Sequence, residues 1–352
     1  MADRYLKEPF RELYLDISSG HNIYVSALLE AGRLFLTFYK LQNFYPSLEP
    51  LEVFLCFSDP ILLTSADKTY ELHHRYKLEV KAFFSWPRRP DEIKLENAYS
   101  TLIKELSGED RNLKRYLTEK LASLLTRGYL FFSALKNATP LVLYTFPYHQ
   151  EEEILTVMQE MINFLKERLF SYYLNTPRIN TVPWRQLFLM LTLYLGIVRA
   201  LKAYKIYPKD EVSTTELGWK FRSHACNLFK YFELDTLRDY FSQELKNNFW
   251  KDEMFNKFQP EYKLLKEFIG GEKSDELTPR NFRAHCGFER NCVEVKKING
   301  EVIVRYVKVE KILKVETCPG SQGIACGGEL KPGVVPKGLH GGGDGAGENL
   351  HA

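Results

Sequence analysis

The stretch "ELYLDISSGHNIYVSALLEAGRLFLTFYK" (Glu12–Lys40) decides the fold class. Its first six residues, Glu12–Ile17, form a short apolar run of the kind found in strands of a parallel sheet. "SSGHN" (Ser18–Asn22) is a turn with a flexible glycine. From Ile23 to Phe44, Val25, Leu28, Leu29, Leu34, Phe35 and Phe38 recur at helical spacing. "LEVFLCF" (Leu51–Phe57) repeats the buried-strand pattern, and "SDP" (Ser58–Pro60) stops it. Strand, turn, helix and strand make one βαβ unit, an α/β signature. A doubly wound domain has two such halves. One is present, so the expectation is a partial Rossmann-like sheet, from a truncated domain or a chain that begins late. "YELHHRYKLEVKAFFSW" (Tyr70–Trp86) partly alternates and reads as an edge strand. His73 and His74 are adjacent, so in a strand they face opposite ways and cannot share a metal.

"WPRRPDE" (Trp86–Glu92) carries two prolines and a charge run, which puts a boundary after residues 1–87. Residues 93–268 then read as helical. Leu102, Leu106, Leu113, Leu117, Leu121, Leu124 and Leu125 recur every three or four residues with one longer gap, the stripe of a packed core. "EEEILTVMQEMINFLKERLF" (Glu151–Phe170) has acids at its start and basic residues near its end, as the helix dipole favours. Trp219, Phe221, Phe229, Tyr231, Phe232, Tyr240 and Phe241 suit a helical core or dimer contact better than a base-stacking platform. The alternation in "CVEVKKINGEVIVRYVKVEKI" (Cys292–Ile312), broken by Asn299-Gly300, is a hairpin signal. From Thr317 on, 11 of 36 residues are glycine, so residues 317–352 read as a disordered tail.

Composition narrows the function classes. The chain has 352 residues, 45% of them hydrophobic and 14% aromatic, enough for a large core. Forty-eight basic against 45 acidic side chains give a net charge of +3, which does not mark a general polyanion binder, so any nucleic-acid site would have to be local. Met1–Arg11 is polar and does not read as a signal peptide. "LFLMLTLYLGIV" (Leu187–Val198) is too short to span a bilayer and reads as a buried helix. The six cysteines lack the spacing of a secreted scaffold, which points to the reducing cytoplasm. Cys286 and Cys292, like Cys318 and Cys326, lie further apart than the pairs of a structural zinc site, so no metal is expected.

The chemistry sits in "TPRNFRAHCGFERN" (Thr278–Asn291). Thr278 can cap a helix and Pro279 fits its first position. Arg280 and His285 have four residues between them. An imidazole can take and give a proton near neutral pH. A guanidinium can hold a phosphate and stabilise the dianion that develops on it. Asn281 adds an amide that both donates and accepts. These are parts for RNA cleavage without a metal. On an ideal helix the Arg280 and His285 positions lie roughly 140° apart, so one helix makes a poor site and two copies meeting at an axis make a better one.

"RNFRAH" matches the arginine–histidine motif of HEPN ribonucleases, and "RNFRAHCGFERNCVEV" with the hairpin "KKINGEVIVRY" resembles the C-terminal end of the CARF–HEPN ribonucleases of type III CRISPR systems. At the front, "YLDISSGHN" (Tyr14–Asn22) resembles that family's Asp-x-Thr-His-Gly motif and "CFSDP" the strand end that follows. The resemblance spans about residues 10–85 and 275–312. It implies a homodimer or higher oligomer, a CARF dimer that binds cyclic oligoadenylate (most often cyclic tetra-adenylate) and a HEPN dimer that cuts single-stranded RNA without a membrane or a metal cofactor. Carried over, Arg280 and His285 are catalytic with Asn281 in support. Asp16, Ser18, Ser19, Gly20, His21 and Asn22 fall on the ligand motif, where a loop entering a helix N-terminus suits phosphates. Ser18-Ser19 replaces the family's Thr-His, His21 follows the glycine, and the first half of the CARF domain is missing. Residues 269–316 are then the catalytic segment of a C-terminal helical HEPN domain. The alternatives are a non-catalytic, CARF-containing nucleic-acid-binding regulator and a dimerisation protein.

Overall fold

The computed structural model describes residues 1–18, 21–44, 50–58, 74–81, 100, 103–104, 107–108, 110–171, 181–224, 227–270 and 277–317. Helix α1 (Ala2–Lys7) leads into strand β1 (Glu12–Asp16), helix α2 (Asn22–Gln42) and strand β2 (Glu52–Phe57). β1 and β2 pair in parallel, from Glu12 opposite Glu52 to Asp16 opposite Cys56, so the expected βαβ unit is present. Strand β3 (His74–Lys77) adds antiparallel to β2 at the edge of this three-stranded sheet. Leu15 and Val53 are buried in it. His73, Ser19, Gly20, Leu102, Leu106, the boundary at residues 86–92 and the glycine-rich tail lie outside the described residues.

A helical body follows: α3 (Arg111–Lys136), α4 (Leu141–Thr145), α5 (Glu151–Ser171) and α6 (Thr181–Ala203). Helix α6 packs against α2, α3 and α5 and forms the axis of the core. Every residue from Leu189 to Val198 is buried, the state of a helix apolar on all sides. Pro183–Ala203 is long and apolar enough to cross a membrane by length and composition, yet 78% of that window is buried inside the protein. Gly196 permits the crossing of α2 and α6, because a Cβ there would lie 1.8 Å from the Leu41 carbonyl oxygen. On α3, Leu117, Leu121, Leu124 and Leu125 are buried as the stripe predicts, while Leu113 in the first turn is exposed.

The C-terminal part begins with strand β4 (Val212–Ser213) and helices α7 (Thr214–Arg222), α8 (Leu228–Tyr231) and α9 (Thr236–Leu245), the last running into a π-helical turn (Lys246–Trp250). Helix α10 (Asp252–Phe255), strand β5 (Lys263–Leu264), helix α11 (Lys266–Ile269), helix α12 (Pro279–Ala284), strands β6 (Val293–Ile298) and β7 (Glu301–Tyr306) and helix α13 (Val309–Thr317) complete it. Asn299 and Gly300 both have positive φ, 52° and 78°, so the hairpin turn is the one its sequence predicts. Two expectations need correction. The hairpin is the centre of a four-stranded antiparallel sheet, order β4-β7-β6-β5, because two-residue strands from the segment read as helical pair with its edges. The alternation also ends at Tyr306; Val309–Thr317 is a helix that buries Ile312, Val315 and Glu316.

Candidate active site

Helix α12 is short and fixed at both ends. The Thr278 hydroxyl accepts the Asn281 N–H at 3.2 Å, and Pro279 occupies the first turn. At the other end Cys286 and Gly287 take φ of 50° and 79°, and the Gly287 N–H donates to the Phe282 carbonyl at 2.8 Å. This left-handed closure requires a glycine, since a Cβ on Gly287 would lie 2.4 Å from the Tyr306 hydroxyl. The inner side of α12 carries Phe282, fully buried with its ring 5.8 Å from that of Tyr306. Arg283 also turns inward. It donates to the Val315 carbonyl at 3.1 Å, and its Nε lies 3.9 Å from the buried Glu316 carboxylate.

Arg280, Asn281 and His285 are all exposed. His285 closes the helix with φ −114° and ψ 28°, outside helical geometry, so the sequence-based angular offset does not apply to it. Its Nδ1 lies 3.3 Å from Oε2 of Glu244 on α9. That carboxylate is only 17% exposed, against 55% for the imidazole. Asn248, in the π-helical turn, donates Nδ2 to the Glu244 backbone carbonyl at 2.9 Å and to Oε2 at 3.2 Å. The Tyr240 hydroxyl donates to the Ala284 carbonyl, and burial, then Cys286 and Glu244, push that phenol up. Burial also raises the Cys286 thiol, which makes it a packing residue rather than a nucleophile.

At the other motif, the Asp16 carboxylate accepts the Ser18 backbone N–H at 2.9 Å and the Ser18 hydroxyl, and these bonds hold it below the usual carboxylate range. The Ser18 hydroxyl in turn accepts the Ser58 N–H at 2.8 Å, tying the end of β1 to the end of β2. His21 is the N-cap of α2 and makes no side-chain cap, while its carbonyl accepts the Tyr24 N–H at 2.8 Å. Among the described residues no group of three or more His, Cys, Asp or Glu side chains could hold a metal ion.

Residues 1–60 match the family described as CRISPR system endoribonuclease Csx1, CARF domain, and residues 234–309 match CRISPR system endoribonuclease Csx1, HEPN domain. Over these two segments the chain is similar to the CARF and HEPN domains of one family. Both motifs lie inside their matched segments, and the family is one of CRISPR-associated endoribonucleases. No curated protein matches the chain. The HEPN segment also contains Glu244 and Asn248, which the sequence reading passes over, and Tyr240, which it reads only as a core or dimer contact. Their four-residue spacing shows that they share a helix face, but nothing local to them points to a histidine 41 residues away.

Proposed function

We propose that the protein is a cytoplasmic, dimeric ribonuclease that cuts single-stranded RNA without a metal and is switched on by cyclic oligoadenylate. The observation that carries the reading is the exposure of Arg280 and Asn281 on α12 and of His285 at its C-terminal end, while Phe282 and Arg283 lock the helix inward. In the reaction, the ribose 2′-hydroxyl attacks the adjacent phosphorus. His285 takes the hydroxyl proton or returns one to the 5′-oxygen. Arg280, with Asn281 beside it, stabilises the phosphorane charge. The O2′–P bond forms and the P–O5′ bond breaks, leaving a 2′,3′-cyclic phosphate and a 5′-hydroxyl. A second copy brings a second Arg280 and His285 to a shared cleft.

The activator, of the cyclic tetra-adenylate class, binds where Asp16, Ser18, Ser19, Gly20, His21 and Asn22 lead into α2. Its phosphates lie against the N-terminus of α2, which no side chain caps. Asp16 acts there through Ser18, as the anchor of the loop.

The test is cleavage of single-stranded RNA in EDTA, with and without cyclic tetra-adenylate, by the full chain and by His285→Ala. Ring-dependent cleavage that ends in cyclic phosphate and disappears in the variant is expected. Cleavage that ignores the ring rejects the sensor part alone. Equal turnover by His285→Ala rejects the catalytic site, and a complete lack of cleavage favours a binding or dimerisation protein.

A further inference from the structure

We infer that Glu244 is the positioning residue of the nuclease site, fixing the tautomer and the aim of His285; this rests on the ribonuclease reading above. A carboxylate can only accept. Oε2 of Glu244 takes the Asn248 amide N–H at 3.2 Å and faces His285 Nδ1 at 3.3 Å, so Nδ1 is the nitrogen that carries the proton. The neutral ring then presents the Nε2 lone pair, the one able to receive the 2′-hydroxyl proton. The imidazolium that follows is stabilised by the same carboxylate. Acid, imidazole and reacting hydroxyl thus form the relay in which a carboxylate orients a histidine without itself being protonated.

The support around Glu244 is specific to this task. Asn248 clamps the carboxylate from the turn where α9 becomes π-helical, and widened turns of that kind recur at functional sites. Tyr240, one turn before Glu244, holds the Ala284 carbonyl and so fixes the residue that precedes His285. Tyr240 and Glu244 on α9 meet the C-terminal end of α12, and Asn248 in the π-helical turn backs Glu244. The carboxylate is largely shielded while the imidazole it holds stays open to solvent.

Glu244→Gln keeps the shape and removes the obligate acceptor. Two measurements on the full chain test the inference. One is kcat and KM for single-stranded RNA. The other is the two-bond 1H–15N spectrum of the imidazoles, in which His285 is identified among the 8 histidines by its loss in His285→Ala. The expected result is a fall in kcat of roughly 100-fold with KM unchanged, an unchanged thermal melt, and loss of the Nδ1–H form of His285. Wild-type kcat in Glu244→Gln, or His285 signals that superimpose on those of the wild type, would overturn it. Wild-type protein that cuts no RNA, with the tautomer still shifting in Glu244→Gln, overturns the ribonuclease reading and leaves the orientation of His285 by Glu244 established.

Discussion

Arg283 and Glu316 join the helix that carries the candidate site to the last of the described helices, with the guanidinium Nε 3.9 Å from a carboxylate that has no solvent exposure. The hydroxyls of Ser133 and Thr139 donate to the same carboxylate, from the end of α3 and just beyond it. Arg280, three residues earlier, is exposed and free to meet a ligand. The two arginines of "RNFR" therefore do opposite work, one holding the helix and one facing outward.

Burial raises the Glu316 carboxyl even though Ser133, Thr139 and Arg283 pull it down. A carboxyl raised on folding binds its proton more tightly in the native state. Stability is then greatest below the unfolded value of about 4.3 and is lost as pH rises through the folded value. Glu316→Gln lacks that loss. Urea unfolding from about pH 4 to pH 8 should show the variant gaining on the wild type as pH rises. A gap that stays constant over that range would contradict a carboxyl raised by burial.

Gly287→Ala should destabilise the protein by about 1–3 kcal/mol. Its φ of 79° strains any side chain, and the new methyl would meet the Tyr306 hydroxyl at 2.4 Å. The urea midpoint reads this directly, and activity should fall with the loss of the turn that closes α12. An unchanged midpoint would mean that Tyr306 can move aside.

Phe282 and Arg280 separate folding from the proposed chemistry on a single helix. Phe282→Ala empties a fully buried site and should cost about 3–5 kcal/mol. Arg280→Ala changes an exposed side chain and should leave stability within about 0.5 kcal/mol. RNA cleavage should nevertheless be abolished by Arg280→Ala at full occupancy of the folded state. A large drop in its melting temperature would favour an interface role for Arg280 instead.

Gly196→Ala should be among the most damaging single substitutions away from the site. The added carbon would overlap the Leu41 carbonyl oxygen at 1.8 Å, and backbone cannot swing aside as a side-chain tip can. Separating α2 from α6 should cost more than the ~1–3 kcal/mol usual for overpacking. Thermal denaturation checks it; a near-native melt would mean that the two helices slide without penalty.

Much of the framework was legible locally. The Thr278–Pro279 start of α12, the Asn299-Gly300 hairpin turn and the apolar βαβ run are short-range patterns, and each formed as written because its determinants lie within a few residues. The helix at Val309–Thr317 was hidden because its valines and isoleucine also satisfy a strand pattern; packing of Ile312 and Val315 into the core decided it. The two-residue strands β4 and β5 were invisible for a similar reason. Strands that short have no period of their own and exist only because the hairpin offers them open edges.

By itself the sequence determined where a capped helix begins at Thr278 and Pro279, and it put Arg280, Asn281 and His285 forward as candidates. The tertiary structure alone decided that Arg280 faces out while Arg283 is sunk against Glu316, and that a carboxylate 41 residues away meets the His285 ring. Backbone propensity and capping act over one or two turns and are written in neighbouring residues. Burial and hydrogen-bond pairing between α9, α12 and α13 depend on how distant helices pack, which no local pattern encodes.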